Sequence, residues 1–326
     1  MTIEQILEAF PRYSALVIGD ICLDRRCIYD PATSEPSRET RIPRLGIVAT
    51  DAAPGGGGTV ANNLAALGMT RLAVLGAIGE DGHAWELTRS LNSRGISTDL
   101  LVRSSSIPTF TYTKLVNQAT GIEDQPRVDF IYTRPIPTSV EKEILSHLEG
   151  FAETFDVLFV SDQAETKQGG VVTAAVRDAL LKIADAHPNK VIWVDSRVRI
   201  ERFRKMTIKP NEQEADAASI ALFGEVDYQK LRAHSGSHLM FVTKGREGVL
   251  VIEDGNATLV PPRLVEQPVD ICGAGDSFSA GAAVALAITG SATDAARFGN
   301  LIASITIMKA GTGTASPQEV LAAARE

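Results

Sequence analysis

Between residues 157 and 253, short apolar runs alternate with amphipathic segments in a pattern that few folds can use. The spacing predicts strand 157–161, helix 171–186, strand 190–195, a strand near 207–209, a helix from Asn211, helix 228–234, and strands 239–243 and 249–253. Strands separated by helices cannot pair through tight turns. They return by crossovers and lie parallel, with helices on both faces. The run 13–20, ending in Gly19-Asp20, reads as a buried strand of the same sheet, and 71–79 as another, with Asp81 as N-cap of the helix that follows. Two stretches do not fit. Residues 25–53 are polar and irregular, with a short alternating piece at 40–45, and residues 102–133 alternate at 110–116 and 127–132 in the manner of half-buried strands. Both are too long for ordinary connections and are expected to pair as a small antiparallel lid. The expectation is one α/β domain over 1–326: a doubly wound, mostly parallel sheet flanked by helices, with that lid.

Composition narrows what such a domain meets. A hydrophobic fraction of 44% suits a well-buried core, and a net charge of −8 without a basic, aromatic-rich cluster argues against nucleic acid. No apolar run reaches the roughly 18 residues of a membrane span, and the acidic, amphipathic first residues do not read as a signal peptide. The cytoplasm is therefore expected. Cys22, Cys27 and Cys272 lack histidines at zinc-site spacing and are expected to be free thiols.

The most chemically loaded stretch is Asp270-Ile271-Cys272-Gly273-Ala274-Gly275-Asp276, followed by a small, alanine-rich helical run. Bare backbone N–H groups at a helix start can hold a phosphoryl group while Asp276 faces an attacking hydroxyl; a turn with Asp276 as N-cap explains the same residues. Asp20 and Asp24 follow the first strand, where carboxylates could grip polyol hydroxyls or simply be solvated. Gly55 to Gly58 open a helix that runs to Gly68, inviting close approach by a ligand or serving as a linker; neither a Walker A loop nor a Rossmann fingerprint is present. Asn211 and Glu214 suit either water-mediated magnesium binding or a plain capping box. Thr243, Gly245 and Gly248 suit a nucleotide phosphate or a hairpin turn.

Taken together, these motifs resemble the PfkB/ribokinase family of ATP-dependent kinases over essentially the whole chain. Asp270 to Asp276 matches its D-x-x-G-A-G-D signature, Gly55 to Gly68 its amino-terminal glycine motif, and Asn211 with Glu214 its N-x-x-E motif. Gly19-Asp20, Leu23-Asp24-Arg25, Thr113-Lys114-Leu115, Arg127 with Asp129-Phe130, and 311–317 most resemble the heptose 7-phosphate kinase branch. The resemblance implies a ribokinase-like fold and transfer of the ATP γ-phosphoryl group to a sugar hydroxyl, with Mg²⁺. Asp276 is then the base and Gly273, Ala274 and Gly275 the anion hole. Asn211 and Glu214 serve magnesium and phosphate, while Asp20, Asp24, Gly56, Gly57 and Asn63 serve the sugar. Thr243, Gly245, Gly248 and Asn300 line the nucleotide. Lys114 and Arg127 meet an acceptor phosphate, and Asp270 with 310–316 holds a monovalent cation such as K⁺. Thr59 stands where the family usually has a sugar-binding Asn, and Ile271 where Thr or Val is common. Heptose 7-phosphate is the leading acceptor, with fructose- or ribose-type sugars as alternatives. A non-catalytic sugar or nucleotide sensor and a dinucleotide-dependent oxidoreductase are the rival classes. A homodimer through the lid is expected, because isolated alternating strands leave edges and apolar side chains bare.

Overall fold

The computed structural model describes residues 1–166 and 168–325. In chain order it contains α1 (Ile3–Ala9), β1 (Ser14–Gly19), β2 (Ile21–Pro36), β3 (Pro43–Gly56), α2 (Gly57–Ala66), β4 (Arg71–Gly79), α3 (Gly82–Asn92), β5 (Ser97–Ser104), β6 (Thr111–Asn117), β7 (Val128–Phe130) and α4 (Thr138–Phe151). The second half adds β8 (Val157–Asp162), α5 (Ala174–Ala186), β9 (Val191–Ser196), β10 (Thr207–Ile208), α6 (Glu212–Phe223), α7 (Tyr228–Ser235), β11 (Met240–Thr243), β12 (Val249–Glu253), β13 (Asn256–Val260), α8 (Ala274–Thr289), α9 (Ala292–Thr306) and α10 (Pro317–Arg325).

The main sheet runs β13-β12-β11-β10-β9-β8-β1-β4-β5. Its pairs are parallel from β5 to β11, and the last two are antiparallel. Side chains alternate between the two faces, as strand geometry requires. Ala15 and Val17 join the core under α2, α8 and α9, while Leu16 and Ile18 join the core under α4 and α5. The order reverses at β1, which has β4 on one side and β8 on the other, so a crevice opens at the carboxyl ends there. The smaller sheet has the order β3-β2-β6-β7.

Several expected boundaries move. The first excursion is two long paired strands, β2 and β3, where the sequence showed only a short alternating piece; their outer residues are exposed, so no burial pattern betrays them. Both hairpins of the smaller sheet are antiparallel, but β2 and β6 join them in parallel, Leu23 opposite Thr111. Residues 102–104 belong to β5 of the main sheet, not to the second excursion. The expected helix at 171 starts at Ala174, where the Thr173 side chain caps it by accepting from Val176 N, while the Val171 N–H donates to Asp20.

Helix α8 is fixed onto the sheet by aromatics. Phe278 lies 6.2 Å from Trp193 and 6.3 Å from Phe241, ring to ring, and those two lie 4.8 Å apart. Each such side chain, fully buried, contributes about 1.5–3 kcal/mol. Gly299 lets α9 close on α8: a Cβ there would stand 2.6 Å from the Phe278 ring. This packing holds the first turn of α8 over the crevice.

Candidate active site

The backbone enters α8 through Gly273 at φ 76°, a left-handed conformation that a side chain resists. Asp276 is the third helical residue, so the N-cap reading fails and the carboxyl sits inside the first turn. The Ala274 N–H already donates to the Ile271 carbonyl at 3.2 Å, which takes Ala274 out of the expected anion hole. First-turn N–H groups have no intrahelical acceptor, so those of Gly275 and Asp276 remain suited to an anion. Burial, then the negative charge of Asp195, pushes the Asp276 carboxyl up to about 7, although Lys209 opposes the shift.

Lys209 is 3% exposed, and its Nζ lies 2.8 Å from Asp195 Oδ2. A Cβ on Gly275 would stand 3.5 Å from the same Nζ, so the ammonium lies directly against the start of α8. Burial works against its charge, but Asp195, Glu214 and Asp276 together raise its proton affinity. Glu214 is likewise raised by burial and by Asp195. Its Oε2 accepts from Asn211 N at 2.8 Å, and Asn211 Oδ1 accepts from Glu214 N at 2.9 Å. The plain capping box is therefore present, but it stands beside charge that a magnesium ligand would share.

The opposite wall is the smaller sheet. Asp24 projects beside Gly55, where a Cβ would come within 2.4 Å of its Oδ1, so only glycine leaves room for that carboxylate. Burial raises Asp24 to about 6, against Lys114, Arg127 and Arg197, which favour the charged form. Arg127 donates to Asp129 Oδ2 at 2.9 Å and lies 5.3 Å over the Tyr112 ring.

Other expected ligands are engaged in the fold. Asp20 Oδ2 accepts from Gln163 N and Ala164 N, and its Oδ1 accepts from Val171 N, at 2.8–3.0 Å. It ties down the loop after β8 instead of gripping a sugar. Gly56 (φ 55°) is needed because a Cβ would press on the Asp20 carbonyl at 2.7 Å, and Gly57 because Ile21 lies 2.8 Å from a Cβ there. Asn63 is wholly buried; its Nδ2 donates to the Thr59 carbonyl and its Oδ1 accepts no hydrogen bond. Thr59 itself lies against Gly273 and donates to the Pro54 carbonyl. Asn300 Nδ2 donates to the Val260 and Pro261 carbonyls, and Gly248 (φ 98°) has the Val260 oxygen 2.2 Å from a Cβ position. Thr243 ends β11 beside Asn211, and a Cβ on Gly245 would face open space. Asp270 accepts from Cys272 N and Gly311 N, joining the loop before α8 to the carboxyl-terminal loop.

Asp195 and Arg197 escaped the sequence reading as candidates, and Lys209 entered it only within the Ile208–Asn211 motif, without a role. A lysine directly after an apolar strand and an aspartate at a strand end were the available signals. What they lacked was a visible partner, because Asp195 and Lys209 are brought together only by the β9/β10 pairing. Among the described residues, no cluster of three or more His, Cys, Asp or Glu side chains is built to hold a metal. The donors present fit Mg²⁺ held by Glu214 and Asn211 through water, since that ion keeps several waters and leans on substrate phosphates. The three cysteines are free, as expected.

Residues 48–319 match the sequence profile of the pfkB family carbohydrate kinases. The chain belongs to that family. Among curated pfkB relatives, bifunctional protein HldE of Pelobacter propionicus is 28% identical over 332 aligned positions, covering 98% of this chain and 65% of that protein. HldE of Geobacter metallireducens is 29% identical over 315 positions, covering 94% and 62%. The chain thus spans less than two thirds of the length of these relatives. Ribokinase from Thermotoga maritima superposes with a TM-score of 0.72 at 22% identity, covering 96% of this chain and 100% of that one. Arabidopsis thaliana ribokinase complexed with ribose and ATP gives 0.70 at 18%, covering 96% and 99%. The pfkB chain therefore has the ribokinase-like α/β fold, with its mostly parallel main sheet and smaller second sheet.

Proposed function

We propose that this chain transfers the γ-phosphoryl group of ATP to a hydroxyl of a sugar phosphate, with heptose 7-phosphate as the leading acceptor. The observation that carries the reading is Asp276 in the first turn of α8, held near neutral pKa by burial and with Lys209 alongside. A carboxylate that titrates near pH 7 is matched to general-base work at neutral pH. It takes the proton of the acceptor hydroxyl as that oxygen bonds to phosphorus and the bond to ADP breaks. The Gly275 and Asp276 N–H groups and the Lys209 ammonium face the charge that spreads over the transferring group. Asp24 accepts from sugar hydroxyls, and Lys114 and Arg127 meet the acceptor's phosphate. Thr243 and Gly245 border the nucleotide. Glu214 and Asn211 would hold Mg²⁺ through water, and the ion would supply charge neutralisation to the phosphates. The test is an ADP-release screen across free and phosphorylated sugars; turnover with no acceptor sinks the reading.

Two accompanying proposals concern assembly and ions. Ile47 and Val48 on β3, Val128 and Phe130 on β7, and Ile131 are 42–50% exposed, which supports pairing of two copies through the smaller sheet. A monomeric mass by light scattering at micromolar concentration removes that claim. For the monovalent cation, Asp270 and the 310–316 carbonyls are the donors, although the Lys309 ammonium already donates to the Thr314 carbonyl at 2.5 Å. Equal rates in potassium and in a large organic cation would remove that claim. No helix among the described residues is long and apolar enough to cross a membrane.

A further inference from the structure

Arg197 leaves the carboxyl end of β9 on the main sheet, its backbone N–H donating to the Asp162 carbonyl at 3.1 Å. Its Nε donates to Gln163 Oε1 at 3.0 Å, and Gln163 Cγ lies 3.5 Å from a Cβ position on Gly56. Arg197 also follows Asp195, the partner of Lys209, by two residues, so its guanidinium lies where the carboxyl edge of the main sheet meets Gly56 of the smaller sheet. The other branch of its fork donates to Glu165 Oε1 at 3.2 Å, but Arg197 and Glu165 are 53% and 69% exposed, and such pairs hold weakly. Gln163 therefore sets the direction of the arginine while leaving part of its fork available for exchange. The charges of Arg197, Lys114 and Arg127 all favour the ionised form of Asp24, and that of Arg197 also acts on Tyr112 and Asp276. Arg127 and Arg197 meanwhile hold Asp129 and Glu165 in partly exposed pairs, which an incoming anion can exchange with.

We infer that Arg197 is an anchor for an anionic group of the acceptor, gripping it from the main sheet opposite Lys114 and Arg127 so that the bound acceptor ties the two sheets together. The inference rests on the sugar-phosphate reading and deepens it. A planar fork binds phosphate or carboxylate through two hydrogen bonds, which neither a lysine nor a neutral side chain reproduces. On binding, the anion displaces Glu165 from one branch and leaves the Gln163 bond in place.

The experiment uses the full chain and whichever phosphorylated sugar the ADP-release screen finds, with Arg197→Met, Arg197→Lys and Glu165→Gln. Arg197→Met is expected to raise KM for the sugar phosphate by about tenfold or more relative to its effect on KM for ATP. Arg197→Lys should fall between, and Glu165→Gln should leave KM equal or lower, because it removes a competitor for the fork. Equal changes in both KM values, or a fall in kcat with the acceptor KM unmoved, overturn the role of Arg197 while the kinase reading stands. Wild-type turnover with uncharged sugars only, or with none, overturns the sugar-phosphate reading and this inference with it.

Discussion

Replacing Asp276 by Asn keeps the side chain's shape and removes both the base and a buried negative charge, and the two losses have opposite signs. Removing general-base catalysis should lower kcat by about two to four decades. The wild-type kcat/KM should rise with unit slope to a plateau above an apparent pKa of about 7, while the variant's should lack that limb. Stability moves the other way. The folded pKa is raised from 3.8 to about 7, so between those values the folded chain holds a proton the unfolded chain has lost, and stability falls as pH rises through that window. A shift of about three units sets a ceiling of about 4 kcal/mol; after solvent relaxation we expect about 1–2 kcal/mol. Asp276→Asn should therefore melt about 2–5 °C above wild type at pH 8, with the difference vanishing near pH 4. The assays are steady-state turnover from pH 5 to 9, calorimetric ATP·Mg²⁺ binding and thermal melts at both pH values. Turnover above about a tenth of wild type refutes the catalytic role. A variant that melts below wild type at pH 8 refutes the electrostatic account.

Replacing both Lys114 and Arg127 by Met should raise KM for a phosphorylated acceptor at least about tenfold while moving ATP affinity little, as read by steady-state kinetics; equal KM values reject the assignment. Asp20→Ala leaves three buried N–H donors unmatched and should destabilise the fold by about 2–4 kcal/mol in chemical denaturation, since each orphan costs about 1–3 kcal/mol and the buried charge it removes offsets part. Gly273→Ala meets both a left-handed backbone and Thr59 and Thr312 at 3.2–3.5 Å, whereas Gly275→Ala meets only Lys209 Nζ at ordinary contact. The first should therefore lose about 1–2 kcal/mol and most turnover, and the second should melt near wild type; a reversal of that order in paired melts would remove the strain argument.

The sequence by itself determined the wound sheet, the start of helix α8 and the place of Asp276, the proposed base, in its first turn. Apolar periodicity and glycine placement are local signals, and a helix start with Gly273 and Asp276 needs no distant partner to be recognised. Its capping residues were legible for the same reason: Asp81 and Asn211 bind donors three residues away. Only the tertiary structure decided which carboxylates are available. Asp20 and Asp24 look alike in the chain, yet one is consumed by the N–H groups of Gln163, Ala164 and Val171 and the other is left at the cleft among cations. Lys209 became a candidate site residue through Asp195, brought beside it by strand pairing, and Arg197 a candidate through Gln163, from the end of the neighbouring strand. The chain also could not announce β2 and β3, whose outer residues face solvent and so carry no alternation, or the parallel contact between β2 and β6. Burial and charge proximity are properties of the assembled chain; they set the proton affinity of Asp276, and no spacing of residues along the sequence encodes them.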